Sequence, residues 1–209
     1  MSLAQNPLTG QMRQFMANFV TTVYRGQNVI RAKVFMPKDV NSIAQQKQRA
    51  SFKLIVNAYE ALGGMSDIGF PKRPLIFSPF NAFMVANLPS AVNKTADVPV
   101  IDYTKLVVSN GTLPKVIVQT AVAGTGGITL SYKTAILAPK VSATDEVVAL
   151  ALLKSGELII ARQARGSQGL GTILIAYSGI NADQVECCYL FVVKEDGSNV
   201  SDSTYVVVV

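Results

Sequence analysis

The sequence has no histidine and no tryptophan, and its two cysteines are neighbours, Cys187 and Cys188. Imidazole is the usual general base near neutral pH and the commonest metal ligand, so its absence excludes Ser-His-Asp and Cys-His chemistry and most zinc sites. Adjacent cysteines on a strand point to opposite faces and do not close a ring with each other. They are expected to be reduced, with a small core residue as the ordinary role for either. No run approaches the roughly 20 apolar residues of a membrane span, and MSLAQNPLTGQ lacks the charged-then-apolar plan of a signal peptide. The expectation is a soluble chain with no membrane partner, not exported by that route. Without tryptophan or a loop that gathers aromatics, carbohydrate adhesion by loops has little support.

What is present is apolar residue in quantity. At 209 residues and 49% hydrophobic, the chain can bury a core without disulfides or metals, and its length suggests one sandwich domain with a smaller module attached. The net charge of +6 is unevenly placed. Through Leu75 the basic residues are Arg13, Arg25, Arg31, Lys33, Lys38, Lys47, Arg49, Lys53, Lys72 and Arg73, against Asp39, Glu60 and Asp67. Beyond that point the signs nearly balance, so the excess belongs to the N-terminal part.

Residues 1–17 show no sustained period and read as an arm that orders against a partner. Two β-branched stretches follow, NFVTTVY (18–24) and NVIRAKVF (28–35), separated by Arg25-Gly26-Gln27, which predicts a hairpin. In its second strand Val29, Arg31 and Lys33 share one parity and Ile30, Ala32 and Val34 the other, giving a basic face and an apolar one. Ser42 and Gln45 match a capping box ahead of a helix over 43–62. Its expected apolar stripe is Ile43, Phe52, Ile55, Val56, Tyr59 and Leu62, and Gly63-Gly64 ends it. Ser78-Pro79 then starts a second short helix that Pro89 closes. These pieces form a hairpin plus two-helix module over 18–90.

A polar linker over 90–97 precedes a change to strand character with turn signals about every ten residues. Strands are predicted at 106–108, 115–122, 128–136, 146–153, 157–165, 172–177, 186–193 and 204–209, giving an immunoglobulin-like β-sandwich over 98–209. The fold class is therefore mainly β with a small α+β N-terminal module. The closing TYVVVV is too apolar for an open edge, so either the chain's own sheet or a neighbouring subunit covers it.

The chemical motifs weigh against catalysis. Gly124-Thr125-Gly126-Gly127 lacks the Lys-Ser/Thr of a phosphate loop and reads as a turn. Gly166, Gly169 and Gly171 lead into a strand where a dinucleotide fingerprint needs a helix. Asp145-Glu146 and Glu195-Asp196 stand beside turn residues, where solvated loop carboxylates are expected. No catalytic, cofactor-binding or metal-ligating residue is assigned. Arg25, Arg31, Lys33, Lys47, Arg49 and Lys53 remain as candidates for an interface, with acidic protein or with nucleic-acid phosphates.

Several short pieces carry a resemblance. Asn6 to Gly10 (NPLTG), Tyr24 to Arg31 (YRGQNVIR), AQQKQR at 44–49 with Phe52, NAF at 81–83 through Asn87-Leu88, IDY at 101–103 with LVVSNG at 106–111, and VSDSTY at 200–205 stand in this order. Together they resemble an uncharacterised domain family of Bacteroidetes and their phages or prophages. The resemblance implies an N-terminal module joined to an immunoglobulin-like domain, with no catalytic residues to carry over. A glycine-rich stretch expected after Gly10 is replaced by QMRQFM. With the empty catalytic inventory and the arm, it points to a phage-like virion structural protein: an accessory capsid, connector or tail component. Such a protein would assemble in the bacterial host cytoplasm with copies of itself and other virion proteins, without cofactor or small-molecule substrate. The alternative is a nucleic-acid-binding module using the basic hairpin and helix.

Overall fold

The computed structural model describes residues 2–3, 15–16, 18–24, 27–35, 41–71, 77–95, 98–135, 141–179 and 181–209. The chain divides into two compact units, Met1–Ser42 and Ile43–Val209. In the first, β3 (Phe19–Tyr24) and β4 (Gln27–Ala32) form the expected antiparallel hairpin, with Phe19 opposite Ala32 and Tyr24 opposite Gln27. Two pieces of the expected arm line its edges. β1 (Ser2–Leu3) pairs with β4 and β2 (Phe15–Met16) with β3, in the order β1-β4-β3-β2. The rest of the arm lies outside the described residues.

The second unit is built on a two-sheet sandwich. One sheet has the order β11-β8-β7 and the other β10-β9-β12-β13. The strands are β7 (Ile117–Gly124), β8 (Gly127–Lys133), β9 (Glu146–Leu153), β10 (Leu158–Ala164), β11 (Leu170–Ala176), β12 (Val185–Val193) and β13 (Thr204–Val206). All pairings are antiparallel. Seven of the eight predicted strands are thus found, within a few residues of the turn signals; 106–108 is extended chain outside any sheet. Between the sheets lies a core of Ile128, Leu130, Tyr132, Val147, Ala149, Ala151, Ile173, Ile175, Cys188, Leu190 and Val192.

A third layer covers the other face of the four-stranded sheet. Val148, Leu150 and Leu152 of β9, with Cys187, Tyr189 and Phe191 of β12, pack in one cluster with Ile55, Leu62, Phe70, Phe83 and Met84. These come from α1 (Ile43–Ala61), α2 (Met65–Gly69), α3 (Pro79–Asn87) and the adjoining turns. Ser78 caps α3 as expected, its side chain accepting from the Asn81 N–H at 3.2 Å with Pro79 in the first turn. Tyr59 meets Phe80 and Phe83 edge-on, with centroids 5.1 and 5.5 Å away, a geometry that matches positive ring edge to negative ring face. The stripe expected on α1 holds only in its C-terminal half: Ile55 and Leu62 are buried, but Ile43 is 73% and Phe52 46% exposed.

The helices therefore share a core with the sandwich, while the hairpin expected beside them in an 18–90 module belongs to the other unit. The reason is visible in β9 and β12. EVVALALL and VECCYLFVV are apolar on both parities, and a strand of that kind needs a cover on each face. The stretch read as a linker falls inside the same unit, and β5 (Val92–Asn93) within it pairs with β6 (Val100–Ile101) just beyond it.

The C-terminal tail bonds to its own chain, with the Val207 and Val209 side chains left largely exposed. After β13 pairs with β12, the tail crosses to the other sheet: the Ala123 N–H donates to Val209 O at 2.9 Å and the Val209 N–H to Ala121 O at 3.0 Å. That occupies the free edge of β7 at Ala121 and Ala123. Deletion of residues 207–209 removes both bonds and should lower stability by about 1–2 kcal/mol, while exposing a charge-free edge. Urea unfolding with light scattering checks this; unchanged stability without added aggregation would contradict it.

Candidate interface and buried polar clusters

Of the six basic candidates, Arg25 lies outside the described residues. Arg31 is exposed on β4 and Lys33 is exposed just beyond it, its Nζ 5.4 Å from the Phe35 ring centroid. Val29, of the same parity, is buried, so the expected basic face is confined to the outer end of the strand. In the second unit, Lys47 is half-buried and Arg49 and Lys53 are exposed on α1. Arg49 and Lys53 are four residues apart, hence on one face of the helix, turned away from the buried line Ser51, Ile55, Ala58. Arg31 with Lys33 and Arg49 with Lys53 thus make two local pairs, one in each unit.

Buried polar side chains in the second unit hold backbone. Asn87, fully buried, donates through Nδ2 to Phe83 O at 3.0 Å and Val107 O at 2.9 Å, and its Oδ1 accepts from the Val107 N–H at 2.7 Å. This fixes α3 against the extended chain at 106–108. The next residues lock onto the chain before β13. Ser109 Oγ donates to Ser201 O at 2.8 Å, Ser203 Oγ accepts from the Val108 N–H at 3.0 Å, and Asp202 Oδ1 accepts from the Gly111 N–H at 3.2 Å. Gly111 is required there, because a Cβ would stand 1.9 Å from Val200 O. SNG at 109–111 and VSDS at 200–203, distant in sequence, thus meet in the fold.

A second cluster corrects the expectation of solvated loop carboxylates. Asp145 has no solvent exposure and Arg165 only 6%. Arg165 Nη1 lies 3.8 Å from Asp145 Oδ2, and its Nε donates to Thr134 Oγ1 at 3.0 Å. Asp145 Oδ2 accepts from the Ser142 N–H at 2.8 Å. Burial lowers the Arg165 guanidinium from its ordinary value, opposed by the Asp145 carboxylate. The two residues are joined again through backbone, the Arg165 N–H donating to Asp145 O at 2.7 Å. The pair therefore ties the start of β9 to the end of β10. Asp145 Oδ1 and Tyr132 Oη find no hydrogen-bond partner among the described residues. Arg165 and Ser142 also line a cavity of about 190 Å³ with Val141, Ala143, Gly166, Ser167 and Gly169. With about 30 Å³ per water in the liquid, it accommodates a few waters. Glu195 and Asp196, by contrast, are exposed as expected, with Lys194 Nζ 2.8 Å from Asp196 Oδ2.

The two thiols face different cores, Cys187 toward the helices and Cys188 between the sheets. Burial pushes both up to about 12, so neither is an activated nucleophile at neutral pH.

Residues 11–207 match the family model described as a family of unknown function, DUF6266. The chain belongs to the DUF6266 family. No curated protein and no solved structure matches it. The DUF6266 match starts in the hairpin-bearing unit and runs into the C-terminal tail, so the family takes in both compact units. Within this DUF6266 chain, Asp145 and Arg165 are a charge pair buried on both sides. Arg165→Met leaves Asp145 buried without its counter-charge and should destabilise the fold by about 3–5 kcal/mol. Arg165→Met/Asp145→Asn, which removes the charge but keeps an acceptor for the Ser142 N–H, should recover roughly half of that loss. With Asp145→Asn alone completing the cycle, a double-variant loss equal to the sum of the two single losses in denaturant unfolding would show that the pair is not energetically coupled.

Proposed function

We propose that this chain is a structural component of a phage-like particle, an accessory capsid, connector or tail protein that works by contact with other protein chains rather than by catalysis. The reading rests on one feature of the sandwich. On the outward face of the β11-β8-β7 sheet, Ile117, Val122, Leu170 and Leu174 are 63, 52, 59 and 50% exposed. Register sets them in two rows, Leu174–Thr129–Val122 and Leu170–Lys133–Ile117. Large apolar side chains grouped on one sheet face favour a partner surface over open solvent. Elsewhere, the buried Asn87, Ser109 and Ser201 hold loops of the chain's own backbone, a use of polar groups suited to a scaffold.

Two further points support the reading. The sequence resembles a family of Bacteroidetes and their phages. The order of the seven sandwich strands, first-second-fifth on one sheet and fourth-third-sixth-seventh on the other, agrees with an immunoglobulin-like plan with the fourth strand moved to the side of the third. That plan hosts many functions and supplies rigid edges and faces rather than an activity. The protein would be built in the bacterial host cytoplasm and reside in the virion.

Mass spectrometry of purified particles from a host carrying the sequence should find this chain in multiple copies per particle. Its absence from intact particles would defeat the reading. Binding of nucleic acid is the second reading, favoured by the shared exposed face of Arg49 and Lys53. In that case affinity for a DNA or RNA duplex should fall steeply between low and physiological salt, by about tenfold or more if several phosphates are neutralised. A flat salt response would eliminate it.

A further inference from the structure

The sandwich has four lateral edges, and three of them carry a device against strand addition. The edge of β7 is taken by Val209, whose N–H and C=O both bond to it. β13 is only three residues long. β10 places Arg162 in mid-strand, 3.5 Å from Glu146, and a charged side chain on an edge opposes pairing with another chain. The fourth edge, β11, has none of these. It is seven residues long, its register with β8 runs unbroken from Leu170–Lys133 to Ala176–Gly127, and among the described residues it pairs with β8 alone. No charged residue occurs anywhere from 166 to 182. A long, regular, neutral strand with one row of main-chain donors and acceptors unmatched is a template for another strand.

We propose that β11 pairs antiparallel with β11 of a second copy about a two-fold axis, with Thr172 opposite Thr172, joining two three-stranded sheets into one of six strands. Self-pairing is favoured because β11 itself carries no charge to repel its own image. With no charge from 166 to 182, a second copy meets no like-charge penalty, whereas a charged partner strand would find no counter-charge. The register follows from the outward side chains. Centring on Thr172 sets Leu170 of each copy opposite Leu174 of the other, so the half-exposed leucines cover one another on both sides of a small β-branched pair. A shift by one pair would instead oppose Leu174 to Thr172 and Leu170 to Ala176. This inference rests on the assembly reading above and gives it a specific contact.

Thr172 is exposed, so replacing it leaves the core intact. Directly opposed residues across an antiparallel pair have Cα atoms about 4.5–5.5 Å apart, within disulfide range, and the two native thiols are buried. Under mild oxidation, purified Thr172→Cys should form a covalent dimer in high yield. Leu174→Cys should not, since its copies would stand about four residues apart along the strands. Thr172→Lys, which opposes two like charges, should weaken association at least about fivefold in sedimentation equilibrium. No dimer from Thr172→Cys, or unchanged association of Thr172→Lys, would overturn the proposal, with circular dichroism confirming that each variant is folded. The two ideas fail separately. Normal incorporation of Thr172→Lys into particles would discard the β11 contact and leave the assembly reading standing. A β11 dimer formed by a chain that particles lack would do the reverse.

Discussion

The pairing of β9 with β12 is the constraint on which the second unit depends. Seven of the eight residues of β9 and the last seven of β12 are buried, so the two strands are covered on both faces as well as flanked by β10 and β13. A strand in that position contributes to two cores at once: Val147, Ala149 and Ala151 toward the outer sheet, Val148, Leu150 and Leu152 toward the helices. Each buried aliphatic side chain contributes on the order of 1.5–3 kcal/mol relative to exposure. Losing either cover would therefore open a continuous apolar surface. The adjacent cysteines express the same geometry, since neighbouring thiols end up in different cores.

Much of this was legible in the sequence. Strand positions followed from runs of β-branched residues broken by glycine, asparagine and aspartate, because tight turns need residues that accept unusual backbone angles. Helix starts were legible at Ser78-Pro79, where capping chemistry is local. The grouping of elements was not. The hairpin and helices share basic composition, and composition suggested one module, but which elements pack together is decided by complementary apolar faces. The decisive signal was the loss of alternation in EVVALALL and ECCYLFVV, which implies burial on both sides. Asp145 and Arg165 stand 20 residues apart, and no local pattern announces that their turns converge. The acidic residue looked solvated because its sequence neighbours are turn formers.

The same distinction applies to the candidate interface. Charge bias in the first 75 residues was read correctly as a property of that segment, yet the residues carrying it are distributed over two compact units. Arg49 and Lys53 share a helix face because helical period puts them there, while Phe52 is partly exposed because it lies about 100° round the helix from the fully buried Ser51, off the line Ser51, Ile55, Ala58.

The pieces that carried the family resemblance fall into place on these terms. SNG at 109–111 and VSDS at 200–203 are nearly a hundred residues apart in sequence, and they meet through Ser109–Ser201, Val108–Ser203 and Gly111–Asp202 contacts. NAF and Asn87 lie on α3, whose Asn87 clamps Val107 immediately before the SNG turn. Short polar motifs of this kind are often read as ligand-binding loops. Here their donors and acceptors are engaged by backbone, and the glycine is needed because Val200 O occupies the place of a side chain. An unmatched buried backbone N–H or C=O would cost about 1–3 kcal/mol. Backbone pairing meets part of this demand, the Leu113 N–H donating to Val200 O, the Ser201 N–H to Val192 O and the Ser203 N–H to Ser109 O, and side chains satisfy the Val108 and Gly111 N–H groups. Such a latch keeps the helical layer registered on β12.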